Sequence, residues 1–392
     1  MRIRHQFIER NTGDVRDESL LGDGAVNLLY SVAWEKAPSL FRALTGSRAS
    51  DLLALLCFDN PLDKLSRIIP ADSSLDVSEC VEPPHFYNTK RKIFQRQIRY
   101  WECRPMSPLR GEVVSPADSR VIVGSFRETS ALFLKEKFFS FEELVGRDRQ
   151  CWISAFEDGD FAVFRLTPDK YHYNHTPVSG EVIDVYEISG AYHSCNPGAT
   201  VRVVTPLSKN RRIVTVMDTD VPNGSGVGLV AMIEVVALMI GDIVQVYSEH
   251  AYDDPTPVTK GMFLKKGLPK SLYRPGSSTD VLLFQKGRIR FAEDLVRNLV
   301  RSGIRSRYSA GFGRTLVETE LQVRSPIAAA VDTCKSCRER RSICLKGSEP
   351  MCACFEDASH QAVSPPGTET GKWESDNCMK WSAQSRRNEC LG

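Results

Sequence analysis

From Val113 to Val246 the apolar positions gather into short Val/Ile-rich runs, each closed by Gly, Pro, Asn or Asp. The runs Val113–Ser115, Ser119–Phe126, Phe161–Leu166, Val182–Ile188, Thr200–Val204, Arg212–Asp218, Gly228–Val236 and Asp242–Val246 read as strands. Their regular spacing predicts a compact β-rich core. Further on, Val281–Phe284 and Ile289–Phe291 flank Gln285-Lys286-Gly287-Arg288, the pattern of a hairpin. The flanks read differently. Between residues 24 and 60, Leu28, Leu29, Val32, Leu40, Phe41 and Leu44, then Leu52, Leu53, Leu55, Leu56 and Phe58, recur at near-helical spacing. Pro38, Gly46 and Asn60-Pro61 cut this stretch into short helices. Tyr87–Cys103 and Leu295–Val300 are further helical segments. From about Ala329 the chain is polar and aperiodic, the texture of a mostly disordered tail. The expectation is an α+β protein: a mostly helical region over 1–105, a β-rich core over 106–328, and a low-order tail over 329–392.

Composition narrows the class. Of 392 residues, 42% are hydrophobic and 26% charged, enough apolar material for a substantial core. A formal net charge of +2 gives no electrostatic reason to expect nucleic acid as a partner. The longest apolar run, Val227–Ile240, contains Glu234 and is shorter than the roughly 18 residues of a membrane span. The start, Met1-Arg-Ile-Arg-His, has no apolar signal segment. A soluble or peripherally membrane-bound protein is expected. Trp34, Phe41 and the leucines beside Lys36, Arg42 and Arg48 form either a packing layer or a membrane-surface face. Cys57, Cys80, Cys103, Cys151 and Cys195 are scattered and read as reduced thiols. Seven more crowd into the tail as Cys334-x-x-Cys337, Cys344, Cys352-x-Cys354, Cys378 and Cys390. That spacing is irregular for a zinc site, so no metal is assigned.

Three segments carry candidate chemistry. Ser115-Pro116-Ala117-Asp118-Ser119 places a carboxylate at a turn opening a strand, by itself an ordinary turn aspartate. Tyr171-His172-Tyr173-Asn174-His175-Thr176-Pro177 sets two histidines among aromatic rings, as metal ligands, a general base or stacked surface rings. Gly276-Ser277-Ser278-Thr279 is a small-residue corner before an apolar strand, by itself a bland turn. Together they supply an acid, a base and a hydroxyl, the elements of nucleophilic chemistry in the Asp–His–Ser manner.

In this order the segments resemble the phosphatidylserine decarboxylase family, with its Pro-Ala-Asp-Gly turn, Tyr-His-x-x-His-x-Pro segment and Gly-Ser-Thr corner. Lys209-Asn210-Arg211-Arg212, the Ile-Gly-Asp-Ile turn ending at Ile243 and Lys265-Lys266-Gly267 fit as well, and the likeness covers roughly residues 5 to 315. The resemblance implies a proenzyme whose serine attacks the preceding carbonyl, cuts the chain and becomes a pyruvoyl group. That group forms a Schiff base with the substrate amine and accepts the electrons of the departing carboxylate. It implies phosphatidylserine as substrate, a membrane surface, a heterodimer of the two cleaved chains, and association as homodimers. By motif position Asp118 orients, His175 is the base for self-cleavage, and His172 lies near the substrate as a proton donor.

Two registers compete at the corner. Reading forward from Lys266-Gly267 puts Tyr273 on a usual Phe and makes Gly276–Ser277 the cleaved bond, with Ser277 the pyruvoyl source. This register keeps the glycine but requires a bulge before Phe284. Reading back from Phe284 makes Ser278 the nucleophile. Ser277 is preferred and Ser278 is the alternative. Ser119, Val236, Pro269, Ser271 and Asp280 stand where the family commonly has other residues.

Overall fold

The computed structural model describes residues 4–20, 23–30, 38–54, 58, 77–127, 138–203, 205–238, 242–275 and 278–331. They fall within one unit, Met1–Val331. Trp34, Lys36, Leu55, Leu56, Cys57 and the cysteine-rich tail lie outside the described residues.

Seven of the eight Val/Ile runs pair as expected, because β-branched residues fit a pleated surface buried on both faces. The strands are β1 Gln6–Glu9, β2 Val15–Asp17, β3 Glu112–Val114, β4 Ser119–Ser125, β5 Asp160–Leu166, β6 Tyr173–His175, β7 Gly180–Ile188 and β8 Arg212–Asp218. They continue as β9 Leu229–Val236, β10 Ile243–Gln245, β11 Phe263–Leu264, β12 Pro269–Tyr273, β13 Ser278–Phe284, β14 Ile289–Phe291, β15 Thr319–Leu321 and β16 Pro326–Ala330. Ten form one sheet in the order β11-β7-β8-β9-β13-β5-β4-β15-β1-β2. Two three-stranded sheets, β10-β12-β6 and β14-β16-β3, complete the fold.

All seven residues of β13 are buried. The strand pairs antiparallel with β9 and β5 in unbroken register, Ser278 opposite Val236 and Leu166, Phe284 opposite Val230 and Asp160. Beneath its far half, Phe164, Val230, Met232, Leu282 and Phe284 belong to the main core. Each such side chain contributes about 1.5–3 kcal/mol on burial. At the Ser278 end, Ala117, Leu166, Tyr192, Val236 and Tyr273 form a second cluster, so the Asp118 turn packs with Leu166 and Val236, the residues that flank Ser278 in the sheet.

Several expectations are corrected. Val281–Phe284 and Ile289–Phe291 do not pair as a hairpin: β9 and β5 occupy both edges of β13, and β14 pairs with β16 instead. Of the expected strand Thr200–Val204, the described residues 200–203 form none. Pro197–Thr200 is a helical turn, started by Asn196, whose side chain accepts from the Gly198 amide. Tyr87–Cys103 breaks into Lys90–Phe94 and Tyr100–Cys103. Within the first 105 residues, expected to be mostly helical, β1 and β2 join the large sheet, β1 running parallel to β15. At the other end, β16 reaches Ala330, past the expected boundary at 328. Phe41 is buried against Tyr30 and His193, so it belongs to the packing layer and not to an exposed face.

Candidate active site

The Asp118 turn is closed by Ser115, whose hydroxyl donates to the Ala117 carbonyl (2.8 Å). Asp118 is buried, and burial alone would raise its pKa. Arg104 overrides this with two contacts, Nε to Oδ1 at 3.1 Å and Nη2 to Oδ2 at 2.9 Å. The Val323 amide adds a third at 2.7 Å. The net effect holds the Asp118 carboxyl below the usual aspartate range.

His175 ends β6, and its amide donates to the Pro116 carbonyl (2.7 Å), tying it to the same turn. Its ring Nδ1 lies 2.9 Å from the Gly267 carbonyl. A carbonyl only accepts, so Nδ1 carries the hydrogen and Nε2 presents a lone pair. The Tyr171 hydroxyl, 2.9 Å away, donates to it. Gly267 has φ +77, and a Cβ there would run into the Met106 sulfur, so only glycine brings this carbonyl to the ring. Burial pushes the His175 pKa down to about 3. The imidazole is therefore neutral, the state a general base needs.

His172 is likewise buried and pushed down to about 3, chiefly by burial and then by the Arg96 charge. Its Nδ1 donates to the Lys170 carbonyl (2.7 Å), its ring stacks 3.6 Å from Phe94, and its buried Nε2 has no hydrogen-bond partner. Neither histidine is a stacked surface ring. Neither belongs to a metal-ligand cluster among the described residues; the one such group, His5, Glu18 and Glu318, has the Arg165 guanidinium on both carboxylates.

The structure thus brings the Asp118 turn and His175 together through the backbone, without a hydrogen bond between their side chains. Asp118 acts on both histidines through its field, favouring their protonated forms. β12 pairs with β6, the Tyr273 amide donating to the His172 carbonyl (3.1 Å), and runs into the serine corner. Gly276 and Ser277 lie outside the described residues. Ser278 opens β13, its hydroxyl buried and without a partner. The bulge expected before Phe284 is absent from Ser278 onward.

Below the corner lies a polar cluster. Glu234 pairs with Lys270 (2.7 Å), both fully buried, and accepts from Gln245 (3.0 Å), Asn174 (3.3 Å) and the Ser271 hydroxyl. Asp280 accepts from Tyr273. Arg104, Lys270 and Tyr252, whose hydroxyl lies 2.7 Å from that of Tyr171, belong to no motif, and Gly267 belongs to one that gives no sign of its carbonyl's role. Glu234 did leave a signal, as the single charge in the run Val227–Ile240.

Comparison with known proteins decides the lineage. A model of the family described as phosphatidylserine decarboxylase matches residues 91–314, more than half the chain. The chain belongs to the phosphatidylserine decarboxylase family. It is similar to a phosphatidylserine decarboxylase proenzyme of Fusobacterium nucleatum, 27% identical over 294 residues, 75% of this chain and 91% of the relative. One from Chlamydia trachomatis is 29% identical over 300 residues (74% and 90%), and one from Clostridium tetani 25% over 293 residues (74% and 91%). Set in this phosphatidylserine decarboxylase family framework, the unusual residues around the corner all have places. Ser119 donates to the Ala117 carbonyl (3.2 Å), Val236 faces Ser278, Pro269 faces His175, and Ser271 and Asp280 join the polar cluster.

Proposed function

We propose that the chain is a self-cleaving, pyruvoyl-dependent decarboxylase converting phosphatidylserine to phosphatidylethanolamine and CO2. The observation that carries this reading is His175, a neutral imidazole whose Nε2 lone pair is held only by the exchangeable Tyr171 hydroxyl, on a strand paired to the one that leads into the serine corner.

In self-cleavage the corner serine Oγ bonds to the carbonyl carbon of the preceding residue while its proton passes to His175 Nε2, in place of the Tyr171 hydrogen bond. The peptide C–N bond breaks, the nitrogen takes a proton, and an ester links the two parts. Loss of the serine Cα proton breaks the Cβ–Oγ bond and frees the upstream chain as a carboxylate. Water then converts the resulting dehydroalanine to the pyruvoyl group with release of ammonia. Asp118, held ionised by Arg104, stabilises the imidazolium through its field. Once formed, the pyruvoyl carbonyl supplies the electron sink for the departing carboxylate. We assign the proton that replaces CO2 to His172, a role supported by its unpartnered Nε2.

Two observations support Ser278 as the nucleophile over Ser277: its buried, unpartnered hydroxyl, and the unbroken register from Ser278 to Phe284, which keeps the motif's spacing without a bulge. The Ser277 reading keeps Gly276 directly before the reactive residue. Peripheral membrane contact accords with the exposed Phe86, Trp101 and Leu109. No helix among the described residues is long and apolar enough to cross a bilayer. Denaturing electrophoresis tests the whole reading, since an intact 43.9 kDa chain under all conditions refutes it. Mass spectrometry of the smaller product, with S277A and S278A alongside, identifies the serine that becomes the blocked terminus.

A further inference from the structure

We infer that Tyr273 and Asp280 form a clamp across the base of the serine corner and act as positioning residues for the self-cleaving bond. This inference rests on the decarboxylase reading above. Asp280 sits in the middle of β13, fully buried, opposite Phe164 on β5 and Glu234 on β9. Being two residues from Ser278, it lies on the same face of the strand. Its Oδ1 accepts from the Tyr273 hydroxyl at 2.6 Å, while its buried Oδ2 has no partner. The same phenol oxygen is 3.2 Å from the Thr279 carbonyl and accepts from the Val235 amide (3.1 Å). One hydroxyl thus joins the last residue of β12 to the start of β13 and to β9, linking the two strands that flank the serine corner in sequence.

The ionisable groups facing Asp280 are Tyr273 and Lys270 from β12 and Glu234 from β9. Lys270 is engaged by Glu234 and by Gln245 (2.9 Å), so its charge lowers the Asp280 pKa least of the contributions and does not offset burial. Burial, then the Glu234 charge, hold its carboxyl well above the usual range, and the acid keeps its proton. Two residues that looked like separate departures, a tyrosine for phenylalanine and an acid in an apolar strand, are partners. Ionising Asp280 would set a second negative charge beside Glu234 and loosen the clamp.

The test follows cleavage of the freshly synthesised full chain by denaturing electrophoresis over a range of pH, for Y273F, D280V, D280N and Y273F/D280V. Misplacement of reacting groups on the ångström scale costs up to about 100-fold in rate. Y273F, which strands the acid, is expected to cut about 10- to 100-fold more slowly, and Y273F/D280V to recover most of that loss. D280N, a neutral hydrogen-bonding replacement, is expected to outpace D280V at least about tenfold and to lose the alkaline decline of the parent. Y273F cutting at the parental rate, or D280N no faster than D280V, overturns the clamp. If the parent is never cut, the decarboxylase reading falls by itself, and thermal unfolding of the same four variants still judges the pair: additive losses refute the coupling, a non-additive rescue supports it.

Discussion

Arg104 carries the charge balance of the Asp118 turn, and its removal is the sharpest available perturbation. The side chains of Arg104 and Asp118 are only 7% and 10% exposed, and Glu79 leans on the same guanidinium at 2.9 Å. R104M keeps the bulk of the stem but leaves a buried carboxylate with only the Val323 amide. Removing one partner of a buried pair costs about 3–5 kcal/mol, a large share of the roughly 5–15 kcal/mol that holds a domain together. The sign with pH is fixed by the lowered Asp118 pKa. In the parent its stabilisation is present above the ordinary value of 3.8 and is lost as pH falls through the lower folded value. In R104M the stranded carboxylate is a penalty at neutral pH that disappears as it takes a proton. The gap between parent and variant is therefore greatest near neutrality and narrows on acidification. Urea unfolding in an S277A/S278A background, which keeps one chain, measures it. R104K, retaining charge but losing the fork, is expected to fall between the two. A gap below about 1 kcal/mol at neutral pH, or one that widens in acid, would refute the account of this turn.

The two histidines should separate by experiment. H175Q is expected to leave the 43.9 kDa chain uncut, whereas H172Q is expected to be cut normally and to lose decarboxylation by about 100-fold, measured as CO2 from phosphatidylserine vesicles. Acid should also unfold the protein early. His172 and His175 are held near 3 and His193 near 4, while an unfolded histidine binds its proton near 6.5. The unfolded state thus takes up more protons, so stability falls as pH drops below 6.5, and a flat profile between pH 7 and 5 would contradict the burial of these rings.

Strands announced themselves wherever the chain is apolar on both faces, as in β5, β8 and β9. β6 and β12 were hidden because they carry the working polar residues, His175 on one and Lys270 and Ser271 on the other, and polar alternation there reflects a buried network. The helical turn at Pro197 was legible and misread: Asn196-Pro197 is an N-cap followed by a first-turn proline. The failed hairpin has another cause. The residues at Gln285–Arg288 do turn, but pairing depends on which edges are free, and distant β9 and β5 had claimed both. The motifs singled out Asp118, His172 and His175, yet gave no notice that the Gly267 carbonyl, far along the chain, would hold the His175 ring.

The place of β13 has a bearing on timing. β9 and β5 are not neighbours in the sheet; β13 lies between them. A ribosome that has delivered everything up to Tyr273 has therefore supplied three separate pieces, β11-β7-β8-β9, β5-β4 and β1-β2, and their closure waits for β13, which follows the serine corner, and then for β15. Chemistry that needs a closed sheet cannot run ahead of synthesis. After the cut the downstream chain would remain laced between two strands of the upstream one, so separating the products would require unfolding both.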